Sequence, residues 1–319
     1  MTQELRITTV RGSIHPEEMG VCHSHEHLFI KKGQPEKLDR ALRLDDFSKT
    51  QEEVERFKKV GGRTIVDAQP LGSGRDVANL VKLAADTGIN IIASTGFHKS
   101  GFYPDPHWIR EKSVGELADL FISEIHEGMF ADGEEGWPQM RTTAKAGLIK
   151  TAADLEGPVG RYAELFEAAA IASVETGTPI MSHTELGYKA MEQVEFYSNR
   201  GVRVSRQIIC HLDRRMENAD DMLRVAETGV YLELDTIARF KYHSDEEEVQ
   251  LIRMLIDRGH EDQILLGLDT TRKRMKSYGG EIGLDYLIGT FLPLLAESGV
   301  TETQVKKMMI GNPARAYSK

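Results

Sequence analysis

The chain has 319 residues, 40% of them hydrophobic and 28% charged, an ordinary globular composition. A net charge of −10 gives no electrostatic hold on a phosphate backbone, so a nucleic-acid partner is not expected. The N-terminus has no apolar core of signal-peptide length, and no run approaches the ~20 apolar residues of a membrane span, so the expectation is a cytoplasmic protein with no membrane partner.

Eight short apolar runs, each ending in polar residues, alternate with helix-length segments. They are 20–30, 63–70, 90–98, 146–152, 178–184, 206–212, 229–235 and 263–269. The predicted helices follow at 48–60, 75–87, 113–129, 158–176, 187–200, 217–228, 245–259 and 283–298, with a further one at 302–309. Runs rich in Ile, Val and Leu suit parallel strands covered on both faces, and their alternation with helices argues for βαβ units. Eight such units predict an α/β fold, a single (β/α)8 TIM barrel spanning 1–319 as one domain. A doubly wound open sheet is the alternative, but it would not bring the ends of strands one, four, five, six and eight to one centre. Cys22 and Cys210, the only cysteines, fall in predicted strands and make no disulfide framework, which fits a reducing cytosol.

His25 and His27 end the first strand two residues apart, so both can face the barrel mouth. His23 shares their parity one layer deeper and reads as a core histidine. Lys150 ends strand four, His183 strand five, His211 strand six and Asp269 strand eight. Singly, each histidine is more often a core or loop residue, Asp269 a turn or cap, and Lys150 an anchor for an anion. Together at matched strand ends they form a ligand set for a two-metal hydrolase, in which a divalent ion lowers the pKa of water to about 7. An ammonium cannot ligate; a desolvated lysine can lose its proton and take up carbon dioxide to become a carbamate.

The order HxH, Lys, His, His, Asp, with SHEHL at 24–28, AGLIK at 146–150, SHTE at 182–185, ICHLD at 209–213 and GNPAR at 311–315, resembles the phosphotriesterase family of the amidohydrolase superfamily. The resemblance implies that His25, His27 and Asp269 hold a buried ion and His183 and His211 a more exposed one. A carbamylated Lys150 and a hydroxide would bridge the two. Asp269 would be the catalytic residue that takes the hydroxide's proton. The resemblance further implies zinc by default, with manganese, cobalt or iron also suited, and a homodimer.

The loop after strand eight, DTTRKRMKSYGGE, packs Arg272, Lys273, Arg274 and Lys276 into five residues. With Lys31 and Lys32 after strand one, Arg239 and Lys241 after strand seven, and the Tyr278 hydroxyl, it predicts a clamp for an anionic small-molecule substrate. Within the family this basic loop resembles the branch that opens phosphorylated sugar lactones (1,4-lactone 5-phosphates). A phosphotriesterase or a neutral, acyl homoserine type lactonase is the alternative, and a catalytically silent binding barrel is the reading from another class. His98, Tyr103 and Trp108 are further candidates for the pocket wall. Asp235 reads equally as a substrate contact or a turn residue, Glu26 as structural, and His15, His126, His243 and His260 carry no argument.

Overall fold

The computed structural model describes residues 4–215 and 219–319. A short antiparallel hairpin, β1 (Ile7–Thr9) and β2 (Gly12–Ile14), precedes the barrel and was not expected. Its three-residue strands alternate too briefly to stand out from a loop in sequence. The barrel strands follow as β3 (Val21–Glu26), β4 (Gly62–Asp67), β5 (Asn90–Gly96), β6 (Leu148–Ala152), β7 (Ile180–His183), β8 (Gln207–Cys210), β9 (Tyr231–Leu234) and β10 (Ile264–Leu266). They pair parallel in chain order, β3 through β10. The circle closes between the ends: the Asp269 N–H donates to the His25 carbonyl at 3.0 Å. Gly267 makes that approach possible, because a Cβ there would lie 2.9 Å from the His25 nitrogen. The architecture is a (β/α)8 barrel.

The helices start where polar side chains satisfy their free N–H groups. Ser113 with Glu116, and Ser244 with Glu247, form capping boxes ahead of the helices Val114–His126 and Asp245–Asp257. The predicted start of the seventh helix at 217 lies outside the described residues, and that helix is seen over Ala219–Glu227. The final helix runs beyond 309: Glu302–Lys306 passes through one π-helical turn, Lys307–Gly311, into Asn312–Tyr317. Its Tyr317 plugs the barrel base, where the hydroxyl donates to the Ser24 carbonyl at 3.1 Å.

Inside the barrel, Cys22, Val66, Leu148, Met181, Ile208 and Leu265 form a dry lower layer with Tyr317 and Met19. Each is fully buried, and each large apolar side chain so buried contributes roughly 1.5–3 kcal/mol. Two residues further along β6, β7 and β8 the same interior parity gives Lys150, His183 and Cys210. The apolar layer is therefore the floor on which the polar mouth stands.

Candidate metal centre and substrate cavity

Period-two alternation places Lys150 and His183 directly, but β3 needs a correction. Its register slips between His23 and Glu26, opposite a regular β4. Cys22 faces the interior, whereas His23 lies 4.6 Å from the Phe57 ring of the helix Phe47–Lys59, outside the barrel wall. His23 is thus a core residue but not one layer beneath His25. The irregularity turns His25 and His27 inward. His211 and Asp269 reach the mouth differently, through left-handed backbone at φ 64° and 45°. Non-glycine residues in that region cost about 1–2 kcal/mol each, strain of the kind that collects at functional sites.

The structure brings all six candidate ligands to one cavity of about 300 Å³. His25, His27 and Asp269 form one group whose donor atoms lie within 4.8 Å of one another. His27 Nε2 is 3.3 Å and His25 Nε2 3.9 Å from Asp269 Oδ1. The His183 and His211 rings meet edge to face at 4.4 Å, and Lys150 Nζ lies 3.4 Å from His25 Nε2.

The donor set suits divalent ions. His25 Nδ1 is 2.8 Å from Glu233, and His211 Nδ1 is 2.6 Å from Asp235, so carboxylates hold both rings with Nε2 turned to the cavity. Burial, then the cations Arg214 and Lys150, hold His183 at about 3 against a hydrogen bond it would donate to Glu185. Burial and Arg214 likewise hold His211 well below the usual range. Neutral imidazoles are the ligating form, which an ion would have to impose on His25: there burial and Lys150 disfavour the charge, but Glu233 and Asp235 outweigh them and hold the ring well above the usual range. Burial would raise the Asp269 carboxyl, but Arg239, His27 and Arg214 outweigh it and keep Asp269 ionised. Lys150 is 1% exposed and has no carboxylate within ion-pair distance among the described residues.

Glu233 was the functional residue that sequence reasoning missed; Asp235, read as a substrate contact or a turn residue, instead holds the His211 ring. Both lie on the interior parity of β9, in YLELD, and that alternation was the signal available. Glu26 has the structural role expected: fully buried, it accepts from the Leu268 and Thr270 N–H groups and fastens strand eight to strand one.

The expected anion clamp is drawn differently. Arg239 lines the cavity and meets Asp269 Oδ2 at 2.8 Å. Lys31 turns to the 130–143 loop, 2.8 Å from Glu134 and donating to the Ala131 carbonyl. Arg272 lies over the Tyr278 ring, and that tyrosine's hydroxyl donates to the Asp46 carbonyl at 2.9 Å. Arg274 donates to the Leu268 and Ile237 carbonyls, tying strand ends eight and seven together. None of these four lines the metal cavity. Besides Lys150, the cations that do are Arg214, Arg239, Lys241 and Lys99, the last paired with Glu185 at 2.6 Å. His98 also lines it, stacked on Phe102 at 3.6 Å. Tyr103 and Trp108 do not; their polar atoms bond Leu71 and Gly133 carbonyls in the loop core.

A model of the phosphotriesterase family matches residues 5–317. The chain belongs to the phosphotriesterase family. It is 34% identical over 325 residues to a phospho-furanose lactonase of Mycoplasmopsis synoviae, covering 97% of this chain and 91% of that one. A crystal structure of a lactonase from Listeria monocytogenes is 32% identical, with a TM-score of 0.90 and 98% of each chain covered. The phosphotriesterase homology protein of Escherichia coli, solved with phosphate in its active site, is 31% identical with a TM-score of 0.85, covering 94% of this chain and 99% of that one. Membership makes the chain an ester-hydrolysing enzyme and implies a binuclear metal site, for which the buried His and Asp cluster supplies the candidate groups. Among the described residues no helix is long and apolar enough to cross a membrane.

Proposed function

We propose that this member of the phosphotriesterase family is a metal-dependent lactonase that opens phosphorylated sugar lactones, 1,4-lactone 5-phosphates. The observation that carries the reading is a single small cavity with metal-ligating groups at its floor and Lys99, Arg214, Arg239 and Lys241 on its walls. The Mycoplasmopsis relative named for a phospho-furanose substrate supports it. So does the phosphate held by the Escherichia coli homologue.

His25, His27 and Asp269 would hold one ion and His183 and His211 the other, with an N6-carboxylated Lys150 between them. Carboxylation would replace a buried ammonium that has no carboxylate partner among the described residues by an anion suited to lie between two cations. Two divalent ions, zinc by default and manganese, cobalt or iron by the same nitrogen–oxygen chemistry, would supply Lewis acidity and a water with its pKa lowered to about 7. Asp269 would receive the proton of the attacking oxygen and pass it toward the ring oxygen that leaves. An ion that engaged the Asp269 carboxylate would free Arg214 and Arg239, which now pair with it, for substrate oxygens. Lys241, with no carboxylate within ion-pair distance among the described residues, already faces the cavity. The reading includes a cytoplasmic enzyme with one hydrolase domain over 1–319, working as a homodimer and without nucleic acid.

The test is kcat/KM for a pentono-1,4-lactone with and without its 5-phosphate. Two or three charge-assisted contacts, each ~1.5–3 kcal/mol, predict a preference on the order of 100-fold or more for the phosphorylated form. Equal rates would overturn it. Turnover of an aryl dialkyl phosphate or an acyl homoserine lactone at higher kcat/KM would favour the neutral-substrate alternative instead.

A further inference from the structure

Behind the cavity wall lies a second group of ligand-type side chains that the lactonase reading does not use. Asp213 stands in the turn after β8, His243 at the end of the loop after β9, and Glu248 in the first turn of the helix Asp245–Asp257. They are 0%, 5% and 0% exposed, and one donor atom from each lies within 4.8 Å of the others.

The ring of His243 is oriented as a ligand would be. Its Nδ1 lies 3.0 Å from the Ser244 carbonyl, which can only accept, so Nδ1 carries the proton. The lone pair on Nε2 is left facing Thr236 Oγ1 at 3.0 Å and Glu248 Oε2 at 3.2 Å. A metal-bound histidine makes this same bond from its other nitrogen to a backbone carbonyl.

The carboxylates are unsatisfied. Both oxygens of Glu248 and Oδ1 of Asp213 have no hydrogen-bond partner among the described residues. Burial, with the nearby carboxylates of Asp213, Asp235 and Asp245, holds the Glu248 carboxyl well above the usual range. By contrast Asp245 is fully engaged, by the Ala238 N–H and the Tyr286 hydroxyl. Two buried carboxyl groups with unpartnered oxygens and an imidazole lone pair aimed at them lack one component, a cation.

We propose that Asp213, His243 and Glu248 hold a third divalent cation, separate from the pair at the barrel mouth. One imidazole and two carboxylates suit zinc or manganese. The ion fastens two loops. Asp213 is adjacent to Arg214 and two residues from His211, and His243 closes the loop that carries Arg239 and Lys241. It therefore fixes the cavity wall without touching substrate. The site stands whether or not the substrate is a phosphorylated lactone.

The test uses the full chain expressed with manganese and freed of loose metal by gel filtration. Elemental analysis is expected to give about three ions per chain for the wild type and about two for Glu248→Gln. In a manganese-loaded wild-type crystal, anomalous density is expected among Asp213, His243 and Glu248 as well as at the mouth. Filled mouth sites with nothing at the cluster would overturn the proposal, as would an unchanged ion count in Glu248→Gln. Asp213→Asn, whose side-chain oxygen still accepts the Thr236 N–H, replaces Glu248→Gln if that variant fails to fold. The wild-type map decides independently of both, and peaks at the cluster are read separately from peaks at the mouth.

Discussion

Arg214 and Arg239 turn their guanidinium groups into the cavity and meet Asp269 at 2.6 and 2.8 Å, whereas the cations of the loop after β10 turn away from it. In that loop Lys276 lies 2.8 Å from Asp285, Lys273 3.4 Å from Asp39, and Arg274 is spent on two carbonyls. The two sets have the same chemistry, although the loop cations are crowded along the chain and the wall arginines come from separate loops. They differ in what surrounds them. The wall cations face a buried carboxylate and open volume, while the loop cations are saturated by neighbours that hold the loop shut. A cation's role follows from its acceptors, and those are supplied by other parts of the fold.

Substitutions at the two sets should therefore separate activity from stability. The largest effect is expected at the shared centre: Asp269→Asn would remove the carboxylate proposed as both ligand and proton acceptor, and steady-state kinetics should show kcat/KM down by about 10³-fold or more on any lactone. Lys241→Ala should lower kcat/KM for the phosphorylated lactone by roughly 10–100-fold while leaving the unphosphorylated one nearly unchanged. Equal losses on both would return Lys241 to a merely structural part. Arg274→Met should show the opposite pattern. Two carbonyls lose their donor, at a cost of about 2 kcal/mol or more, so thermal melting shifts down while kcat/KM of the folded enzyme persists. Arg272→Ala, on the loop surface, should alter neither; a selective loss on the phosphorylated lactone would restore the clamp in its original form.

Acid should act on the centre in a defined direction. Burial disfavours the charged form of His183 and holds it at about 3, against the ordinary histidine value of about 6.5. Between those values the unfolded chain binds more protons than the folded one. Metal-free protein should thus lose stability as pH falls from about 6.5 toward 3, and this residue should contribute no slope above pH 7. Melting temperatures of chelator-treated protein across that range check the sign; a rise in Tm on acidification would refute it.

The contrast also explains what could be read from sequence. Strand positions follow a period of two, so Lys150 and His183 were legible as facing the mouth from spacing alone, whereas His211 and Asp269 were legible as standing at strand ends but not in the left-handed backbone that turns them inward. His25 and His27 were legible too, although their inward turn depends on a register slip at His23 that no residue type announces. Glu233 obeyed the same parity and was passed over because it does not stand in the ligand pattern, and Asp235 was noticed at its strand end but not as the partner of His211. Loops obey no such rule. Arg274, Lys31 and Tyr278 found partners hundreds of residues or a whole loop away, and only the folded chain reveals them. His243 was discounted for lying in a loop, yet the fold sets it against Asp213 and Glu248.

The most direct measurement is an anomalous diffraction map of crystals loaded with manganese or zinc, read at the barrel mouth. The account predicts two peaks, one among His25, His27 and Asp269 and one beside His183 and His211, with density extending from Lys150 Nζ as a carboxylate between them. A bare Lys150 ammonium and no ion among those six side chains would contradict it.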